Sequence, residues 1–309
     1  MTVADNSANS GPAPASSSAP APAPAPAPAP EEVGAMYDRF GDLLAMVLGR
    51  SALHVGMFVP HGERTAAASL LDLSDLAQDR QTAYLADILA DGLPPDPRLL
   101  DIGCGTGGPA LHLARRTGGR VTGITVSQEQ LARCGERLNA AAGLEGRVDF
   151  TYGNVMRLDH ADDTYDAAWS IDCFPHLSDR PAGLREARRV LRPGGRLLMT
   201  EFARRGTAVP PETEAFTRLW ASPPPTPFAA LLEEVEEAGF RIARIQNMTA
   251  NIALCGELMH VLYQEQRDAI EQRFGKEAVA HTDPLMEPFR TFCRDHVDYY
   301  LLLLGKPEN

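Results

Sequence analysis

The sequence reads as an α/β chain, a mostly parallel seven-stranded sheet with helices on both faces. Short apolar runs alternate with longer helix-period stretches through most of the chain, the signature of strand–helix–strand crossovers. One of those runs, 99–102, breaks into glycines at 103, 105, 107 and 108 before an apolar-periodic stretch opens near Pro109, which spells strand, tight turn, helix. The 309 residues are 44% hydrophobic, enough for one large domain with insertions, and no run nears the roughly 18 apolar residues of a membrane span.

In chain order, residues 1–30 are alternating Ala and Pro with Ser, a low-complexity tract expected to be a disordered, extended tail. No Lys or Arg precedes Arg39 and no apolar h-region follows the start, so the tract does not read as a signal peptide. A helix is expected over 31–49, with Met36, Phe40, Leu43, Leu44 and Val47 at helical spacing, then a loop at 53–58 and a helix over 73–89. Residues 31–94 are taken as an N-terminal helical lid and 95–309 as the core. Within the core, strands are expected at 99–102, 121–125, 148–152, 165–170 and 196–201, with helices at 110–116, 128–142 and 181–191. After a proline-punctuated stretch come helices at 213–220 and 228–238 and a strand at 241–247. Then follows a mostly helical insertion, 248–296, longer than a hairpin needs, before the last strand at 297–304.

The glycine turn is built to cradle a ligand. Side chains there would block close approach and penalise positive φ, and the following helix offers unpaired N–H groups. Gly103, Gly105 and Gly108 also spell the G-x-G-x-x-G of a dinucleotide fold, but the second strand ends in Thr125 and Val126 without the acid that a nicotinamide ribose requires. The acid is Asp101, ahead of the first glycine, where a carboxylate favours a cationic ligand such as S-adenosylmethionine over a pyrophosphate.

The motif D-I-G-C-G-T-G at 101–107 resembles the first motif of class I S-adenosylmethionine-dependent methyltransferases, whose fold is Rossmann-like. V-T-G-I-T-V-S-Q-E-Q at 121–130 is similar to the second-strand segment of mycolic acid cyclopropane synthases and their small-molecule relatives. There a Thr replaces the ribose-binding acid and a Gln five residues later takes over. The resemblance implies cofactor contacts from Asp101, Gly103, Cys104, Gly105, Gly107, Thr125, Val126, Gln130, Val155 and Ser170. In Y-G-N-V at 152–155, Asn154 stands where the family's acid reaches the adenine amino group, leaving one acceptor oxygen for that task. The leading helices resemble those of rebeccamycin sugar and erythromycin methyltransferases, which cover cofactor and substrate. By position, Tyr37 and His54 would face the active site, Tyr37 as a cofactor contact, and Gln78 would touch the donor's methionine moiety.

A net charge of −12 disfavours nucleic-acid partners. Five cysteines, odd in number and without C-x-x-C spacing, argue against a disulfide framework and a zinc site, so no metal is expected and a reducing cytoplasm is. The insertion's Leu254, Met259, Val261, Leu262, Tyr263, Phe274, Met286, Phe289 and Phe292 divide between helix core and the wall of an apolar acceptor site. The partner expected is therefore a hydrophobic small molecule, not a nucleic acid or a membrane. The lid helix leaves room for a homo-oligomer.

Methyl transfer is an in-line displacement at an already activated carbon, so positioning in a dry cleft supplies most of the rate. The segment 168–179, A-W-S-I-D-C-F-P-H-L-S-D, leaves its strand at the ligand-binding end. His176 is the candidate base. Glu201 would orient it, since rebeccamycin-type enzymes carry a His and an acid at these two positions. Asp172 is the rival: in geranyl diphosphate C-methyltransferases, a carboxylate there quenches a carbocation. Aromatic content of 6% is low for steadying a carbocation, which favours methylation of a heteroatom. The resemblance to natural-product methyltransferases implies O-methylation of a specialised metabolite, as in antibiotic biosynthesis. C-methylation of a prenyl or polyketide chain through Asp172 or Glu201, and a rearrangement on the same fold without methyl transfer, stay open.

Overall fold

The computed structural model describes residues 27–59 and 66–308, so the tail expected at 1–30 lies outside the described residues apart from its last four. Helices α1 (Pro30–Val47) and α2 (Leu70–Ala90) lead into β1 (Arg98–Ile102), α3 (Gly108–Thr117), β2 (Arg120–Thr125), α4 (Gln128–Ala140), β3 (Val148–Tyr152) and β4 (Tyr165–Ser170). A 3-10 turn at Phe174–His176 precedes α5 (Arg180–Val190) and β5 (Leu191–Arg204), followed by α6 (Thr213–Trp220), α7 (Phe228–Glu237), β6 (Arg241–Asn247), α8 (Thr249–Phe274), α9 (Lys276–Asp295) and β7 (Val297–Gly305).

The seven strands form one sheet in the order β3-β2-β1-β4-β5-β7-β6. Only β7 runs against its neighbours, β5 and β6. Strand side chains alternate, so each strand feeds two cores. Leu99, Val121, Ala167, Trp169 and Leu198 join the core built with α1, α2, α3, α6, α8 and α9. Leu100, Ile124, Ala168, Leu197 and Met199 join the opposite core, with α5 and α7. The sheet order reverses between β1 and β4, and a ligand crevice is expected outside the carboxyl ends of those strands.

Two boundaries differ from expectation for identifiable reasons. Helix α2 starts at Leu70 because Ser69 caps it, its hydroxyl accepting from the Asp72 N–H at 3.1 Å. Strand β5 runs on to Arg204 because its carboxyl half pairs with β7 as far as Arg204↔Val297.

Of the leading helices, α1 crosses the carboxyl end of β2. A Cβ at Gly34 would lie 2.2 Å from the Val126 carbonyl oxygen, so only glycine lets the two backbones touch. Asp38 accepts from the Ser127 hydroxyl at 2.5 Å and the Glu129 N–H at 3.2 Å, and Asp42 pairs with Arg133 at 2.8 Å, which ties α1 to the first turns of α4. Helix α2 instead packs into the first core beside α3, through Leu85, Ala86 and Leu89. The insertion folds as the antiparallel pair α8 and α9. Its Met259, Leu262, Tyr263, Met286, Phe289 and Phe292 are buried, whereas Leu254 and Val261 face solvent.

Candidate active site

The carboxyl ends of β1, β2 and β4 and the underside of α1 enclose a cleft. Tyr37, Asp101, Gly103, Cys104, Gly105, Thr125, Val126, Gln130, Asn154 and Val155 line it, as do Asp172 and His176. Gly103 has φ +74, and a Cβ there would stand 2.4 Å from the Cys173 Cβ, so the turn closes only on glycine. Asp101 is 2% exposed and its Oδ2 has no hydrogen-bond partner among the described residues. Burial pushes its carboxyl up to about 7, opposed by the indole N–H of Trp169. A carboxylate buried this way is short of a cation, as a cleft for a sulfonium amino acid requires.

Across the cleft, the Thr125 hydroxyl donates to Gln130 Oε1 at 2.7 Å, while Ser127 N–H donates to Thr125 Oγ1 at 3.2 Å. Thr125 and Gln130 thus orient each other. Asn154 faces the cleft, but its Oδ1 accepts from the Met156 N–H at 2.9 Å. The oxygen expected to meet an adenine amino group thus already accepts one bond within the chain, because Asn in a turn bonds its own backbone two residues on, and keeps one lone pair for a ligand.

Three other expectations are corrected by packing. Gln78 does not line the cleft: its Oε1 accepts from Ala52 N–H at 2.8 Å, and its Nε2 donates to the Leu48 and His54 carbonyls, each at 3.1 Å, so it clamps the 48–54 loop from beneath. Gly107 serves the turn, with φ +85 and Phe150 packed where a Cβ would be. Ser170 is fully buried at the end of β4, outside the cleft lining.

Beside this cleft lies a smaller chamber with apolar walls that include Leu48, Val55, Phe202, Phe216, Ile252 and Phe289. Of the insertion's apolar residues expected to divide between core and wall, Phe289 is the one that lines it. Tyr37, Leu53, His54, Asp172 and His176 border both spaces and so form the rim between them. His176 Nε2 is 3.0 Å from the Tyr37 hydroxyl. The carbonyls of Trp220 and Ala221 lie toward the ring, yet Nδ1 makes no hydrogen bond of normal geometry. Those carbonyls favour the tautomer with the proton on Nδ1, which leaves the Nε2 lone pair to accept from Tyr37. Burial holds the His176 pKa below its ordinary value, and burial together with nearby Cys173 and Asp172 pushes the Tyr37 phenol up, so both are neutral near pH 7.

Asp172 adopts φ +54, a conformation Asp tolerates better than most residues. Its Oδ1 accepts from the Thr200 hydroxyl at 2.6 Å and the Tyr299 hydroxyl at 2.8 Å, and its Oδ2 from the Val55 N–H at 2.8 Å. Gln81 Nε2 in turn donates to the Tyr299 hydroxyl at 2.8 Å. Sequence reasoning missed Thr200, Tyr299 and Gln81, which no local motif marks. His54 sits at the rim with both ring nitrogens taken, by the Val55 carbonyl at 2.8 Å and the Thr82 hydroxyl at 3.1 Å.

Glu201, expected to orient His176, does not meet it. It is 1% exposed, lies 3.7 Å from Arg180 and accepts from the Phe202 N–H at 2.9 Å, on the other side of β5. The physical reason is strand parity: Thr200 points to the Asp172 side, so its neighbour points away.

A family profile described as a methyltransferase domain matches residues 99–195. Methyltransferase GfsG of Streptomyces halstedii is 32% identical over 89% of this chain and 94% of its own length. O-methyltransferase resE of Aspergillus sclerotiorum is 33% identical over 72% of this chain and 80% of its own length. Among solved structures, the [4+2]-cyclase SpnF is similar across 93% of this chain and 99% of that one, with 31% identity and a TM-score of 0.77.

Proposed function

The chain belongs to the S-adenosylmethionine-dependent methyltransferases of the class I fold, and from that premise we propose that it methylates a hydroxyl oxygen on an apolar small molecule of specialised metabolism. The observation that carries the reading is the shared rim: a glycine-floored cleft lies beside an apolar chamber, and Tyr37 and His176 border both. S-adenosylmethionine, when bound, supplies an electrophilic methyl group on a cationic sulfur. Asp101 supports that donor as the partner of its ammonium group, and Thr125 with Gln130 as partners of its ribose.

Tyr37 and His176 manage the acceptor's proton. The acceptor hydroxyl donates to the Tyr37 oxygen while Tyr37 passes its own proton to His176 Nε2, so the acceptor oxygen gains nucleophilicity without a charged phenolate forming in a buried site. Asp172 offsets the imidazolium charge that results. Helix α1 and the 48–58 segment keep water out, which favours attack by the acceptor over hydrolysis. We infer a cytoplasmic setting from the five unpaired thiols. Among the described residues no helix is long and apolar enough to cross a membrane.

The O-methyltransferase resE among the relatives supports O-methylation, and this chain's similarity to the [4+2]-cyclase SpnF keeps a second chemistry in view. Carbon rather than oxygen is favoured by Asp172, which faces apolar walls with hydrogen-bond donors but, among the described residues, no cation in contact, as a carboxylate drawing a proton from carbon would. Incubation with methyl-labelled S-adenosylmethionine and a set of polyketide and polyphenol alcohols decides between them. Label on oxygen, matched by S-adenosylhomocysteine, is expected. Label on carbon would move the chemistry to Asp172, and an unlabelled, rearranged acceptor would remove methyl transfer.

A further inference from the structure

We propose that Ser222 determines acceptor specificity, and that the acceptor is a compact apolar molecule carrying a second hydroxyl or carbonyl oxygen besides the one that is methylated. The proposal rests on the functional reading above and names the substrate class of the same site.

The chamber holds few polar groups, and those at its rim are already committed. His54 uses both ring nitrogens, Asp172 both oxygens, and Tyr37 is bound to His176. Ser222 borders the chamber but not the donor cleft. It is 5% exposed, and its Oγ has no hydrogen-bond partner among the described residues. Of the other buried side-chain atoms in that condition, only His176 Nδ1 belongs to the chamber; Gln81, Trp169 and Thr213 lie elsewhere. A buried hydroxyl without a partner destabilises the free protein, so its persistence facing a cavity points to a ligand atom that completes it.

The backbone around Ser222 is built to hold that hydroxyl still. Ala221 takes φ +43, left-handed and unfavourable for a residue with a Cβ, and closes α6. The Ser222 N–H donates to the Thr217 carbonyl at 3.1 Å, and Pro223, Pro224 and Pro225 follow at once, each with φ locked by its ring. The same turn brings the Trp220 and Ala221 carbonyls toward His176, so one rigid segment both biases the base and reads the acceptor. A pre-fixed donor of this kind discriminates strongly, because an analogue lacking the oxygen leaves the hydroxyl unpaired in the complex.

Titration calorimetry on the full chain saturated with S-adenosylhomocysteine tests the idea with matched probes: 2,6-dihydroxynaphthalene against 2-naphthol, and estradiol against its 17-deoxy counterpart. The wild type is expected to prefer the two-oxygen member of a pair by about 10- to 100-fold. Ser222→Ala should erase that preference, leave S-adenosylhomocysteine affinity unaltered, and raise the melting temperature of the free protein by roughly 2 °C because an unpaired hydroxyl is gone. A purely structural serine would instead lower it. The proposal is overturned if both members of every pair bind equally, equal failure to bind included, if the preference survives Ser222→Ala, or if that variant is destabilised. Binding is read with the demethylated product, so a diol preference without methyl transfer in the labelled-donor assay would sink the functional reading alone.

Discussion

His176 and Tyr37 share one hydrogen bond, and their joint behaviour is more informative than either alone. If Tyr37 relays a proton to His176, the two act as a unit and their losses do not add. His176→Ala is expected to lower kcat by about 100-fold or more, Tyr37→Phe by a comparable factor, and the double variant by little more than the worse single. Steady-state kinetics on the four proteins measures this, and multiplicative losses would separate the pair. S-adenosylhomocysteine affinity of His176→Ala should change by less than about threefold. His176 and Asp172 were legible in the sequence because a strand's carboxyl end delivers them to the crevice wherever the rest of the chain packs. Glu201 was misread for two reasons: the strand expected to end there runs on to Arg204, and along it Thr200, not Glu201, takes the face toward Asp172.

Helix α1 is recognisable from its apolar spacing, yet nothing local says what it covers. Its function as a cover follows from the contact between Gly34 and the Val126 carbonyl and from the Asp38 and Asp42 attachments to α4. Gly34→Ala would put a methyl group 2.2 Å from that carbonyl oxygen, so the helix must lift. The expected result is a loss of about 1–3 kcal/mol in stability, as in other overpacked contacts, and a weakening of S-adenosylhomocysteine binding by about tenfold. Gly135→Ala is the matched control, because a Cβ there meets nothing within 4 Å. That variant should hold or gain up to about 1 kcal/mol from helix propensity. Denaturant titration and calorimetry on both variants check the contrast, and an unimpaired Gly34→Ala would show that α1 is not seated as described.

Two buried carboxyls give the molecule a pH-dependent stability. Burial pushes Asp101 up to about 7 from an ordinary 3.8, and Glu201 up to about 7 from 4.5, the latter despite Arg180 alongside. With folded pKa values above the unfolded ones, their stabilising contribution is fully present below the unfolded values and is lost as pH rises through 7. Urea unfolding of the free protein should therefore weaken by about 1–3 kcal/mol between about pH 5 and 8 on their account. Asp101→Asn should remove part of that slope, make the free protein more stable at about pH 8, and weaken S-adenosylhomocysteine binding more than about tenfold, because the ligand's ammonium group loses its counter-charge. Stability of the variant below that of the wild type at high pH would remove Asp101 from this account.

The amino-acid order alone determined the alternation of strands and helices, the glycine turn after β1 and the family resemblance, because strand and helix periods and turn chemistry are carried by residues adjacent in the chain. Only the tertiary structure decided that Tyr37 meets His176 across 139 residues, that Tyr299 meets Asp172 across 127, that Gln78 braces a loop, and that the Ser222 hydroxyl has no partner among the described residues. Such pairings depend on which groups lose water together when distant elements pack, and neighbouring residues carry no record of that.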